Sequence, residues 1–196
     1  MNAQAHAREY LTNLKTILDR LPLEPIEQIA TALERAHAER RQIFIIGNGG
    51  SAATASHMMN DLNKGTLGHR GDGSWGRFRV IALTDNVSLM TAWANDTDYN
   101  HIFSEPLKNL ANPGDLLIAI SASGNSPNII AACEAAKQLG VRIIGLTGFG
   151  GGKLAQLADI AFVVPSNEYG PVEDVHMILD HILTSYLYAK LKAAHG

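Results

Sequence analysis

The chain predicts a doubly wound α/β fold, a five-stranded parallel sheet between helical layers, with a helical extension at the N-terminus. Short apolar runs rich in Ile, Val and Leu recur at 42–46, 78–83, 115–120, 142–147 and 159–164. They lack polar alternation, the pattern of strands buried on both faces. Stretches of helical composition separate them, near 52–63, 86–94, 126–138 and 171–193. This β-α alternation implies parallel pairing through right-handed crossovers. Ahead of the first strand, 2–20 and 24–38 carry apolar positions at helical spacing, with Leu11, Leu14, Ile17 and Leu18 marking the first stripe. The break at Pro22-Leu23-Glu24-Pro25 divides these two helices.

A length of 196 residues fits one domain with a sizeable core. Hydrophobic content of 46% against 18% charged residues is that of a soluble globular protein. A formal charge of −3 shows no basic surplus, which argues against a nucleic-acid partner. One cysteine, Cys133, leaves no internal disulfide framework and fits a reducing compartment. It lies in the helical stretch 128–139 and is read as a buried core thiol. Neither a signal-peptide apolar region nor a run of membrane-spanning length is seen, so the expected location is the cytoplasm, with no membrane partner.

The most informative stretch is Gly47-Asn48-Gly49-Gly50-Ser51-Ala52-Ala53-Thr54-Ala55-Ser56-His57. It follows the first strand and opens a helix, which leaves backbone N–H groups free for an anion. It is neither a dinucleotide-binding G-x-G-x-x-G nor a P-loop, since Gly-Lys-Ser/Thr is missing. A second polar loop, Ser121-Ala122-Ser123-Gly124-Asn125-Ser126, follows the third strand in the same way. Serine and glycine clusters are often plain turns. Three hydroxyls around one glycine exceed what a turn needs, so Ser121, Ser123 and Ser126 are expected to hold a phosphate. Neither loop carries Arg or Lys, which suits a single phosphate better than a triphosphate. In sheets of this kind ligands bind beyond the strand C-termini at the switch point. Residues 64–77, with five glycines, read as a long loop, mobile or pinned by a partner. Gly148-Phe149-Gly150-Gly151-Gly152 reads as a tight turn after the fourth strand.

His57 and Asp61 are spaced i,i+4 on the helix after the glycine loop and share one face. The stretch 173–181, from Glu173 through His176 and Asp180 to His181, is also helical in pattern. Two helices bearing His and carboxylates suit a zinc-like ion or an acid/base pair. Glu173 and His181 are about 12 Å apart along a helix axis, whereas His176 with Asp180 is the tidier i,i+4 pair. Spacing leaves both open. The histidines at 6, 37, 69, 101 and 195 read as ordinary surface or core residues.

These motifs, with Asn95-Asp96, Leu146-Thr147-Gly148 and the terminal helix, resemble the sugar isomerase (SIS) domain family, and within it the phosphoheptose isomerases. The resemblance spans nearly the whole chain. It implies one flavodoxin-like SIS domain over 1–196, with 1–40 used in oligomerisation and 41–196 forming the α/β core. It implies that Asn48, Gly49, Gly50 and Ser51 with Asn95 and Asp96 contact the sugar, and that Ser121, Ala122, Ser123 and Ser126 take its phosphate. It further implies a divalent ion, zinc above others, on His57, Asp61, Glu173 and His181, preferring Glu173 to Asp180, and no organic cofactor. The family usually has Glu where this chain has Asp61, Gln where it has Glu173, and an Arg near Lys64-Gly65.

The activity so implied is aldose–ketose isomerisation of a phosphosugar through an enediol. The substrate would be sedoheptulose 7-phosphate and the product D-glycero-D-manno-heptose 7-phosphate. Asp61 would act as the base, Glu173 as its substitute and further substrate contact, and His181 as the acid/base partner. The alternatives are a non-catalytic phosphosugar-binding or replication-initiator-binding SIS protein, or an isomerase of another ketose phosphate. A homotetramer is implied too, with His181 reaching a pocket built largely by a neighbouring chain.

Overall fold

The computed structural model describes residues 2–67 and 75–195. Two helices come first, α1 (Ala3–Leu18) and α2 (Leu23–Ala38). The Asn2 side chain caps α1 by accepting from the Ala5 N–H at 2.8 Å. There follow β1 (Gln42–Gly47), α3 (Gly50–Lys64), β2 (Arg79–Ala82), α4 (Val87–Asp96), α5 (Ser104–Leu110), β3 (Leu116–Ile120), α6 (Pro127–Gln138), β4 (Arg142–Thr147), α7 (Gly152–Leu157), β5 (Ile160–Val163) and α8 (Tyr169–His195). The strands form one parallel sheet of order β2-β1-β3-β4-β5. The doubly wound α/β fold expected from the sequence is the fold observed.

Two cores sandwich the sheet. Ile43 and Ile45 of β1 join Ala55, Met58 and Leu62 of α3, Leu33 of α2, and Val175, Leu179 and Leu183 of α8. Phe44 and Ile46 point the other way, to Phe103, Leu107 of α5 and Ile129, Ala132, Cys133 and Ala136 of α6. The period-2 alternation of one apolar run thus feeds both layers. Cys133 is wholly buried and its thiol is pushed up to about 12 by burial, an inert core residue.

Several expectations shift. β1, β3 and β4 are buried on both faces, but the edge strand β2 alternates, with Arg79 and Ile81 exposed and Val80 and Ala82 buried. Helices α5 and α7 escaped the sequence reading because seven and six residues are too few for an apolar period to show. Of the α1 stripe, Ile17 is buried and Leu14 and Leu18 pack on the core, so most of it is used within the chain; Leu11 remains 63% exposed. The glycine-rich loop at 64–77 lies partly outside the described residues, as does His69. Its described ends are ordered: Thr66 and Leu67 are buried in a 3-10 turn, and the Trp75 indole donates to the Thr66 carbonyl at 3.1 Å.

Candidate active site

β1 and β3 are neighbours, yet the helices that follow them go to opposite faces, so their C-terminal loops open the crevice of the switch point. At Gly47 the chain turns so tightly that a Cβ would lie 2.4 Å from the Ser51 carbonyl oxygen. Gly49 follows at φ +53°, and no side chain caps α3. Ser126 and Pro127 open α6, again without a side-chain cap. α3 therefore offers the freer first-turn N–H groups to an anion, because Pro127 brings none to α6 and the Ile129 N–H donates to the Asn128 side chain at 3.0 Å. Asn48 and Asn128 exchange side-chain amide hydrogen bonds of 2.8 Å in both directions, joining the two loops, and Tyr99 donates to Asn48 at 3.2 Å.

The serine loop is held from below. Thr147 donates to the Ala122 carbonyl at 3.2 Å, and the Gly148 N–H reaches the same oxygen at 2.8 Å. Gly124, at φ +65°, lies so close to Gly151 that a Cβ would come within 2.2 Å of its carbonyl oxygen. The Ser121 and Ser126 hydroxyls lie 3.2 Å apart. Asn48, Ser51, Ser121, Ala122, Ser123, Ser126, Tyr169 and Glu173 line a cleft of about 160 Å³. That volume suits a phosphate group and is below the several hundred Å³ of a complete small-molecule pocket.

Helices α3 and α8 run side by side in the same direction. A Cβ at Gly50 would come within 2.7 Å of a Glu173 carboxylate oxygen; further along, His57 meets His181, and beyond that Gly65 faces Thr184. Glu173 therefore sits at the N-terminal end of α3, where the helix dipole favours a carboxylate. About two helical turns on, His57 Nε2 is 3.2 Å from His181 Nε2 and 3.5 Å from Asp61 Oδ2. His181 Nε2 is 3.9 Å from Asp61 Oδ2, and His57 Nε2 is 3.9 Å from Asp180 Oδ2. One donor atom from each of these four residues lies within 4.8 Å of the others. Asp180 is wholly buried, and burial first, then the neighbouring Asp61 carboxylate, pushes its carboxyl up to about 6.

The structure thus brings His57, Asp61 and His181 of one chain together. It places Asp180 beside them and Glu173 with the serine loop instead. Glu173 precedes Asp180 by seven residues, about two turns of α8, so the two carboxylates face different stretches of the groove. Spacing leaves Asp180 open as a partner of His176, and the fold turns it towards His57 instead. His176 is in neither place: it is buried, with Nε2 at 3.4 Å from the Thr147 carbonyl. Asn48, Ser51, Ser121, Ala122, Ser123 and Ser126 line the cleft, while Gly49 and Gly50 do not. Asn95 and Asp96 are exposed at the end of α4, where Asn95 donates to Asp96 at 2.8 Å, and they do not line that cleft. Asn128, Tyr99 and Tyr169 were missed; only long-range folding brings them in.

A doubly wound sheet with a phosphate-sized crevice at its switch point is a ligand-binding α/β domain, and a model of the SIS domain matches residues 9–148. The chain belongs to the SIS domain family. It is 39% identical over 185 residues to a phosphoheptose isomerase of Aliarcobacter butzleri, covering 90% of this chain and 92% of that one. It is 41% identical over 155 residues to another of Rhodospirillum rubrum, covering 79% and 78%. The solved phosphoheptose isomerase of Neisseria gonorrhoeae superposes with a TM-score of 0.87 at 29% identity, covering 96% of this chain and 100% of that one.

Proposed function

We propose that the chain is an aldose–ketose isomerase that converts sedoheptulose 7-phosphate to D-glycero-D-manno-heptose 7-phosphate. The observation that carries this is the pairing of a serine-lined, phosphate-sized cleft with a His/carboxylate cluster about two helical turns away. A long sugar anchored by its terminal phosphate would lay its carbonyl end towards the cluster, where a three-carbon phosphate would fall short. The curated relatives bearing the phosphoheptose isomerase name cover most of the chain and support the same substrate.

Ser121, Ser123 and Ser126 with the α3 and α6 N-termini hold the phosphate. Asn48, Ser51 and Glu173, which line the cleft, contact the sugar, and Asn95 and Asp96 are assigned to it by the family resemblance alone. Asp61 takes the proton from the carbon beside the carbonyl and returns it to the neighbouring carbon, while His181 serves the oxygens. Glu173, a cleft carboxylate, stands as the alternative base. The donor chemistry of the cluster, two imidazoles with carboxylates, fits a zinc ion, and so does the buried Asp180 oxygen that has no hydrogen-bond partner among the described residues. When bound, zinc would polarise the carbonyl and the adjacent hydroxyl.

The small volume of the cleft supports walls supplied by further copies in a cytoplasmic homotetramer, with residues 1–40 at the interfaces. Exposed Leu11 and Leu23 offer apolar contacts there. Light scattering reads the tetramer directly. Incubation with a panel of ketose phosphates, following aldose formation, tests the activity. Turnover of the seven-carbon substrate above all others is expected. Binding without turnover of any panel member would make the chain a phosphosugar-binding SIS protein instead.

A further inference from the structure

We infer that Asp180, and not Glu173, completes the metal site formed by His57, Asp61 and His181. This rests on the reading of the cluster as a zinc site. Asp180 is wholly buried, and its Oδ2 has no hydrogen-bond partner among the described residues. Its other oxygen receives one long bond, 3.4 Å from the Thr184 hydroxyl. A buried, unpaired carboxylate oxygen is costly, and native proteins keep such a group where something outside the protein chain satisfies it. The orphan oxygen points into the cluster, 3.9 Å from His57 Nε2.

The spacing agrees. A tetrahedral zinc with bonds of about 2.0–2.1 Å sets neighbouring donors about 3.4 Å apart. The closest donor pairs here are separated by 3.2, 3.5, 3.9 and 3.9 Å, so small side-chain adjustments suffice. Charge agrees as well, because two carboxylates balance a divalent cation, whereas without one Asp61 and Asp180 repel each other. Glu173 has none of these features. Its carboxylate lies against Gly50, two turns back along both helices, in a cleft that the serine loop shares.

The arrangement also assigns sides. Asp180 forms the buried floor of the site, while His57 and His181 have side chains 43% and 57% exposed and form its open rim. A substrate oxygen must therefore approach over the two imidazoles. Glu173 is left free to face the sugar.

Zinc and cobalt(II) alone are the probes, applied to the full chain. Competition with a chromogenic chelator should show Asp180→Asn weakening zinc binding by at least about tenfold, the least expected for losing a direct ligand when outer-shell losses already cost that much. Glu173→Gln should stay within about threefold, since by this reading it touches no ion. Asp180→Asn is isosteric and removes a like-charge contact, so its metal-free melting temperature should be no lower than that of the parent. A second variant gives a positive signal: cobalt-loaded Asp180→Cys should gain a near-ultraviolet thiolate-to-metal charge-transfer band, and Glu173→Cys should not. A parent that binds zinc, with the loss on Glu173→Gln or the band on Glu173→Cys, would overturn the assignment and leave the metal reading intact. A parent that binds no zinc removes both.

Discussion

The imidazole of His176 makes stability depend on acidity in a window that can be worked from the structure. Its ring is wholly buried on α8, and among the described residues it makes one long bond, 3.4 Å between Nε2 and the Thr147 carbonyl. Burial lowers its pKa from 6.5 to about 4. The unfolded chain therefore binds this proton more readily than the native one, so stability is fully present above pH 6.5 and is lost as the pH falls towards 4. The shift corresponds to a loss of about 2 kcal/mol by pH 5 and about 3 kcal/mol by pH 4. His176→Gln keeps an amide donor for Thr147 and cannot titrate. Urea denaturation from pH 7 to 4.5 should show a steeper fall for the parent than for the variant, the difference growing below pH 6.5. Because Thr147 also carries the serine loop, phosphate affinity should weaken over the same window in the parent. Parallel curves for the two proteins would refute the buried neutral state of His176.

Loss of the Ser121 or Ser123 hydroxyl removes a charge-assisted bond to phosphate worth about 1.5–3 kcal/mol, so each alanine variant should raise KM by about 10- to 150-fold. An unchanged KM in the double variant would exclude the serine loop. Since Asp61 and His181 meet within one chain at 3.9 Å, mixing Asp61→Ala with His181→Ala protein and allowing subunit exchange should restore no activity. Recovery above the two separate proteins would mean that the working site joins different chains.

The fold was legible because parallel strands buried on both faces read as bare apolar runs, and each was found within a residue or two of its place. The two loops were legible for a related reason: glycines and serines directly after such runs have few other uses. What could not be read was depth. Glu173, Asp180 and His181 all lie on one helix, and their sequence spacing says nothing about which neighbour each meets. Only the parallel docking of α8 on α3, set by Val175, Leu179 and Leu183 against the sheet, assigns Glu173 to Gly50 and Asp180 to His57. The edge position of β2 was likewise invisible, since Arg79 and Ile81 look no different in sequence from residues of a central strand.

The mutual amide bonds between Asn48 and Asn128 have a consequence for how tightly anything can be held there. Two loops eighty residues apart lose their independent motion when the chain folds, so no ligand has to stop that motion later. Each side chain already immobilised spares binding about 0.5–1.5 kcal/mol of ordering cost. The same rigidity restricts drift in the sequence. An aspartate at either position would bring a carboxylate against the partner's amide oxygen, so the two asparagines can change only together, and a coupled pair at these positions is the mark to seek in more distant chains.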